Sequence, residues 1–145
     1  MTKNPIPFRV IEVICSDFKL GEDVGENDVM VETEFSFSVN VSAHRVRSIA
    51  HYQYIQNEKV SMALELICTF EVQEDAFNDM IHDDVFTLTA NFAQYLTTIN
   101  VGAARGEIHA RCEAKQSKCA KIILPPINLV KILPENVKID ISTNR

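Results

Sequence analysis

Residues 85–114, VFTLTANFAQYLTTINVGAARGEIHARCEA, carry the longest helical pattern in the chain. Apolar or small side chains recur there at spacings of three and four residues, which is typical of one face of an α-helix. The pattern predicts a helix over 85–114 that covers a sheet formed by the upstream chain. The positions that make the stripe are Leu88, Phe92, Tyr95, Leu96, Ile99, Ala103, Gly106 and Ala110.

The side chains of this stripe change from bulky to small along the helix. Each glycine inside a helix costs about 1 kcal/mol relative to alanine, so a closely packed neighbour would explain the two in the second half. We therefore expect the bulky half to pack on the chain's own sheet and the small half to face the helix of another subunit. Arg105 lies in that seam, and the role favoured for it is to reach the helix edge or to pair with a carboxylate of the sheet. The predicted interface consists of Gly102, Ala103, Arg105, Gly106 and Ala110.

Upstream of the helix, four segments are predicted to be strands: 8–17, 30–40, 49–55 and 60–72. Segments 30–40 and 60–72 alternate strictly between apolar and polar residues, which indicates one buried and one wet face. The links are short, with a tight turn expected at 56–59, so the strands should form an antiparallel meander or Greek key. Segment 8–17 is apolar on both faces, with Phe8, Val10 and Ile14 on one and Ile11, Val13 and Cys15 on the other. A strand of that kind is expected to be covered on both sides.

The remaining segments read as connections. Residues 73–84 have helix-like spacing, and Asp83 and Asp84 are expected to cap the N-terminus of a helix. Residues 122–129, IILPPINL, are apolar, but their paired prolines exclude a continuous helix. Residues 130–145 favour a short strand or an extended tail. The acidic loop 21–28 favours a solvated connection over a calcium site, because the ligand spacing of an EF-hand is missing.

Composition predicts one soluble α+β domain over residues 1–145. A net charge of −6 and the absence of a Lys/Arg cluster argue against nucleic acid as a partner. No apolar run approaches the ~20 residues that span a bilayer, so membrane insertion is not expected. The N-terminus lacks the apolar core of a signal peptide, which favours the cytoplasm. Free thiols are favoured over disulfides for Cys15, Cys68, Cys112 and Cys119.

Motifs for catalysis are missing: the chain has no phosphate-binding glycine loop, no HExxH and no GxSxG. A metal site could be proposed from His109, Cys112 and Cys119, but no further residue completes the set of four ligands that zinc prefers. Helix-surface or packing roles are favoured for them. For His82, Asp83 and Asp84, helix capping is favoured over an acid–base cluster. We therefore expect no enzyme, no cofactor and no metal.

The order of four strands, a long helix with Ala104-Arg105, and then Leu124-Pro125-Pro126-Ile127-Asn128-Leu129 resembles the SecB family of export chaperones. That family has a Tyr-Ala-Arg sequence at the middle of an aromatic-rich helix, followed by a Leu-Ala-Pro-Val-Asn-Phe loop. The strand 8–17 is also similar to the family's first strand, since it starts at a Phe and ends at an Asp. The resemblance covers roughly residues 8–129, and the Pro-x-Asn loop is its most specific part.

The resemblance implies a Greek-key antiparallel sheet backed by one long helix, and a homotetramer built as a dimer of dimers. It also implies a holdase that binds unfolded or precursor polypeptides in hydrophobic grooves and passes them to the SecA motor. Asp17 matches one acidic position that contacts SecA in the family. The family ends in a second helix and an acidic tail, whereas this chain has 16 residues after the loop. An oligomeric adaptor, or a dedicated chaperone of one partner such as those tied to toxin–antitoxin systems, is the alternative.

Apolar residues near strand edges and loops are the candidates for contact with a bound polypeptide: Tyr52, Tyr54, Phe77, Met80, Leu124 and Ile127. The core under the helix is expected to contain Phe35, Phe37, Leu64, Leu66 and Phe70.

Overall fold

The computed structural model describes residues 5–22 and 28–142. Four long strands come first: β1 (Phe8–Leu20), β2 (Met30–Asn40), β3 (Arg45–Gln56) and β4 (Lys59–Val72). A short helix α1 (Glu74–Asn78) and two short strands, β5 (Ile81–His82) and β6 (Val85–Leu88), lead into the long helix α2 (Ala90–Ala114). A 3-10 helix (Lys118–Lys121), a single turn α3 (Leu129–Ile132) and the strand β7 (Val137–Asp140) complete the described chain.

The long strands form one antiparallel sheet in the order β1-β4-β3-β2. Strands β2, β3 and β4 are joined as consecutive hairpins, and β1 lies beside β4, which is a Greek-key arrangement. The predicted tight turn is confirmed: Asn57 and Glu58 have φ angles of 53° and 63°, as a two-residue hairpin turn requires. At the same end of β4, a Cβ on Gly21 would clash with the Val60 carbonyl oxygen, so only glycine fits there.

Helix α2 begins later than the sequence predicts. Thr89 caps it by accepting a hydrogen bond from the Phe92 amide at 3.3 Å, and Val85–Leu88 is a strand instead of the first helical turn. The capping prediction for Asp83 and Asp84 is also wrong. Both have positive φ angles, 50° and 62°, and form the turn between β5 and β6.

The buried face of α2 is rotated from the predicted stripe. Tyr95, Gly106 and Ala110 point outward, while Thr97 and Asn100 lie fully buried against the sheet. The helix can bury these polar side chains because their hydrogen bonds are satisfied there, as shown below for Asn100. The buried positions are Phe92, Ala93, Leu96, Thr97, Asn100, Val101, Ala104, Ile108 and Cys112.

The core lies between α2 and the inner face of the large sheet. Leu64, Leu66 and Phe70 are buried there as predicted, whereas Phe35 and Phe37 on the edge strand β2 are only half-buried. All four cysteines carry free thiols in the structure. No helix in the described ranges is long and apolar enough to cross a membrane.

A second, smaller sheet has the order β5-β6-β7, so the C-terminal strand pairs with residues just ahead of α2. The predicted strand-like tail is present as β7, but the helical turn α3 that precedes it was not predicted. Residues 143–145 of that tail, and residues 23–27 of the loop considered for calcium, lie outside the described residues.

Candidate polypeptide-binding surface

Strand β1 forms one edge of the large sheet. It pairs with β4 alone, so its other edge presents backbone N–H and C=O groups with no strand partner within the described residues. An unpaired edge of 13 residues is a template on which another extended chain can add as a further strand.

Two irregularities in the pairing of β1 decide which way its side chains point. The register shifts between Val10 and Glu12 and again between Cys15 and Asp17. Each extra residue of a β-bulge reverses the alternation that follows it. Val10 and Val13 therefore lie opposite the buried Phe70 and Cys68 on the inner face, whereas the sequence places these two valines on different faces. Ile14 points to the outer face, opposite Ile67.

Helix α2 lies over β3 and β4 and contacts β1 near Phe8 and Phe18, but it leaves Val10 and Val13 between them open. Val10 and Val13 are 44% and 47% exposed although both point inward. Six side chains of this strand point inward, and we call the first five, Phe8, Val10, Val13, Cys15 and Phe18, the β1 strip.

Aromatic contacts close the two ends of the β1 strip. At one end, the Phe8 ring lies edge-on to Phe92 and Tyr95, with centroids 5.6 and 5.7 Å away. Tyr95 is itself 59% exposed and extends the apolar surface onto the helix. At the other end, the Arg111 guanidinium lies 5.8 Å from the centroid of the Phe18 ring. Burial raises the pKa of the Cys15 thiol between them, so the middle of the strip is uncharged at neutral pH.

The loop after α2 is fixed to the helix by Arg105. Its Nε donates to the Leu124 carbonyl at 2.8 Å, and a terminal nitrogen donates to the Pro125 carbonyl at 3.2 Å. The residue was expected to reach the helix edge or pair with a sheet carboxylate; it extends from the helix to backbone oxygens of the proline loop, not to a carboxylate. Ile123 beside it is 75% exposed, while Leu124 is buried.

Four of the six residues predicted to contact polypeptide are in the core. Tyr52, Tyr54, Phe77 and Leu124 are buried, so in this conformation they have no surface to offer a ligand. Tyr52 and Tyr54 point inward because β3 is an interior strand whose alternation puts both under α2. Met80 and Ile127 are half-buried and pack against the core.

The residues predicted to form a subunit interface lie mainly on the outward side of α2. Gly102, Gly106 and Ala110 are exposed. Apart from chain neighbours and the adjacent helix backbone, no described atom comes within 4 Å of a Cβ built on either glycine. Ala103 and Arg105 are half-buried on the helix flanks. The close neighbour inferred from the glycines is therefore not part of this chain's described residues, and the subunit interface stays a prediction.

Asp17, the predicted SecA contact, sits on the outer face of the sheet. It lies opposite Glu65, and the Lys19 ammonium is 3.9 Å from its carboxylate. It is exposed, as a protein contact requires.

The three residues considered as metal ligands in the sequence do not form a metal site in the described part of the chain. His109 contacts the Ala120 carbonyl through Nδ1 at 3.0 Å and Glu113 through Nε2 at 2.9 Å, whereas Cys112 and Cys119 are buried. Among the residues that the structure describes, no group of three His, Cys, Asp or Glu side chains is arranged to hold a metal ion.

Sequence reasoning missed Asn100, which joins α2 to the sheet. Its amide nitrogen donates to the carbonyls of Ser48 and Leu66 at 3.1 and 3.2 Å, and its amide oxygen accepts from the Tyr52 hydroxyl at 2.8 Å. The available signal was its position, four residues after Leu96 and four before Ala104, on the side of the helix that is otherwise apolar.

A Greek-key sheet in the order β1-β4-β3-β2, backed by one long helix, defines a SecB-like fold. Among solved structures, the chain is similar to the SecB-like chaperone of Mycobacterium tuberculosis in complex with a ChAD peptide from the HigA1 antitoxin. The TM-score is 0.50 at 11% sequence identity, over 83% of this chain and 90% of that one. The predicted fold class and the resemblance to SecB are thereby confirmed at the level of the fold. No protein-family model and no curated protein sequence matches the chain.

Proposed function

We propose that this protein is a SecB-like chaperone that holds extended polypeptide segments along strand β1. The observation that carries the proposal is the β1 strip: an apolar surface that α2 leaves open, directly beside an unpaired strand edge. The likeness in fold to a chaperone solved with a bound peptide supports the same kind of ligand.

An extended client would pair its backbone with the free edge of β1 and place alternate side chains over the strip. Backbone pairing is independent of client sequence, and apolar burial selects only for hydrophobic side chains. Covering each half-exposed valine contributes about 1 kcal/mol, so affinity depends on how much of the 13-residue edge is occupied. Holding a client in this way involves no catalytic step, cofactor or metal.

The test uses a chemically unfolded client that aggregates on dilution, followed by light scattering. The wild-type protein is expected to suppress aggregation, and V10D/V13D to lose most of that suppression because a charge would have to be buried with the client. V130D is the matched control, since Val130 is exposed but lies outside the strip. Full aggregation at several-fold excess of wild type would refute the proposal, and so would equal suppression by V10D/V13D.

The same variants separate client binding from subunit contact. If the β1 strip is a contact between two copies, V10D/V13D will halve the molar mass in solution while suppression of aggregation persists. If the strip holds clients, suppression is lost and the molar mass is unchanged.

A second candidate is a dedicated chaperone of one partner rather than a general holdase for export. The structural neighbour favours it, because that protein was solved with a peptide from an antitoxin. Capture from a lysate of the source cell separates the two: one dominant protein supports a dedicated chaperone, and a broad set of unfolded proteins supports a general holdase.

A further inference from the structure

The outer face of the large sheet, opposite α2, is ordered into rows that run across the strands. Residues paired directly across antiparallel strands point to the same side, so the register assigns each row. Of the first four rows, counted from the end of the sheet near Phe8, the first has two arginines and one glutamate, and the second has one arginine and one glutamate among polar residues. The third is mainly apolar and the fourth is mainly acidic. The rows are Arg9, Glu71, Arg45 and Asn40; then Glu12, Thr69, Arg47 and Ser38; then Ile14, Ile67, Ile49 and Ser36; then Asp17, Glu65, His51 and Glu34.

Arg45 and Arg47 are the unusual members of this face. They stand two residues apart on β3, both exposed, and within the described chain neither guanidinium makes a hydrogen bond or an ion pair. Arg9 nearby is already paired with Glu71, at 2.8 Å. Two adjacent unpaired arginines stand out in a protein whose net charge is −6.

A buried hydroxyl points to the same place. Thr69 lies opposite Arg47 in register and is only 3% exposed, yet its Oγ1 has no hydrogen-bond partner among the residues that the structure describes. Buried hydroxyls are nearly always satisfied, so this one has a hydrogen bond to offer to a polar group that binds beside it. Thr69 lines a hollow together with Arg9, Arg45 and Arg47 and with the carboxylates of Glu12 and Glu71, and a second hollow on the far side of Arg45 and Arg47 is lined by Ser38 and Asn40.

The chemistry that fits two unpaired guanidinium groups is a pair of carboxylates, which arginine binds with two parallel hydrogen bonds. Side chains two residues apart on a strand lie about 7 Å apart, and an extended peptide has the same repeat. A segment lying along β3 would therefore place successive alternate side chains over Arg45, Arg47, the isoleucine row and finally the acidic row.

We propose that the outer face of the sheet binds an extended segment of a partner protein whose alternate residues are acidic, acidic, apolar and basic. The partner's two carboxylates bind Arg45 and Arg47, its apolar side chain covers Ile49 and Ile67, and its cation meets Glu34. Glu65 in the same row already contacts His51, at 2.7 Å. This surface lies on the opposite side of the sheet from the β1 strip, so it is a separate site from the one that would hold clients.

A single polypeptide segment fits this face better than a second copy of the sheet. Face-to-face packing of two sheets needs side chains on both inner faces that interdigitate into a continuous apolar core. Here only one of the four rows is apolar, and charged rows lie on both sides of it. One extended segment needs only one apolar position, which is what the face offers.

The probe is a fluorescein-labelled peptide of eleven residues with Glu at positions 3 and 5, Ile at 7, Lys at 9 and Ser or Thr elsewhere. Binding to the full-length chain is followed by fluorescence anisotropy. R45E/R47E is expected to weaken binding at least tenfold. K115E/K131E changes the net charge equally at exposed lysines away from this face and should bind within twofold of wild type.

Complementary changes keep the test decisive. Replacing both peptide glutamates by Gln should weaken binding to wild type at least tenfold, and a peptide with Lys at positions 3 and 5 should bind R45E/R47E better than wild type.

Circular dichroism shows whether R45E/R47E has folded, and V10D/V13D should bind the peptide like wild type even if its holdase activity is lost. Equal weakening by K115E/K131E would overturn the proposal. So would absence of peptide binding, or a concentration-dependent dimer of the wild type that R45E/R47E abolishes without any peptide bound.

Discussion

Arg105 on α2 donates from Nε to the carbonyl oxygen of Leu124 at 2.8 Å, and this bond ties the proline loop to the helix. The loop cannot satisfy its own carbonyls, because a proline has no N–H to offer and Pro125 and Pro126 lie in succession. One guanidinium with several donors serves two consecutive carbonyls. The loop keeps Leu124 in the core while Ile123 next to it faces solvent.

Arg105→Ala should therefore loosen residues 122–128 without unfolding the sheet. Hydrogen bonds to a charged group contribute about 1.5–3 kcal/mol when buried, and we expect the lower end because Arg105 is half-exposed. Hydrogen exchange measured by mass spectrometry should accelerate in the loop and not in β3 or β4. Lys115→Ala, an exposed change on the same helix end, is the control. Unchanged loop exchange in Arg105→Ala would contradict the assignment.

Asn100→Leu should destabilise the protein by about 2–4 kcal/mol. The change removes bonds to Ser48, Leu66 and Tyr52 and leaves buried polar groups unpaired, each at a cost of about 1–3 kcal/mol. Urea denaturation followed by circular dichroism measures it. Thr98→Ala removes an exposed bond to the Gln94 carbonyl on the same helix and should shift the midpoint little. Similar midpoints for the two variants would show that Asn100 does not join helix to sheet.

Gly102→Ala and Gly106→Ala test whether another subunit packs on the outward side of α2. Apart from the adjacent helix backbone, the added methyl comes within 4 Å of no described atom of this chain. The higher helix propensity of alanine should therefore stabilise an isolated protomer by about 1 kcal/mol per site. Because we predict a close subunit contact at these glycines, the larger side chain of Gly102→Leu should dissociate the oligomer. Light scattering measures the molar mass. A wild-type monomer, or an oligomer that tolerates Gly102→Leu, would remove that interface.

Stability should fall at alkaline pH. Burial raises the pKa of the Cys68 and Cys112 thiols from 9.0 to about 11, and that of Tyr54 from 10.0 to about 12. Above pH 9 the unfolded chain releases these protons while the folded chain still holds them, so rising pH favours unfolding. Below about pH 8 the groups are protonated in both states and contribute no pH dependence.

Urea midpoints at pH 7, 8, 9, 10 and 10.5 check this expectation, with a flat region followed by a decline. Relative to its own value at pH 7, Cys112→Ala should lose less stability than wild type, because one buried acid is gone. A midpoint that is constant up to pH 10.5, or a decline that begins below pH 8, would contradict the account.

The elements that were predicted correctly are those whose signal is local. Strand β2 has the predicted bounds, because strict alternation over residues 30–40 specifies a half-buried strand by itself. The turn at Asn57 and Glu58 and the end of α2 at Ala114 were also read from neighbouring residues. The resemblance to SecB depended on the order of such elements and on the loop after the helix.

Other features depended on which distant segment each residue meets. Val85–Leu88 is a strand because β7, about fifty residues later, pairs with it. The hydrophobic periodicity of residues 85–88 carries no information about that distant partner. The Val13 side chain points inward because of the bulges in the pairing of β1 with β4. Tyr52 and Tyr54 are buried because α2 crosses β3. Sequence by itself determined the kinds of elements and their order, because periodicity and turn chemistry act over a few residues. Only the tertiary structure decided which apolar surface stays open to solvent. Whether an apolar side chain is covered depends on which distant elements pack against it.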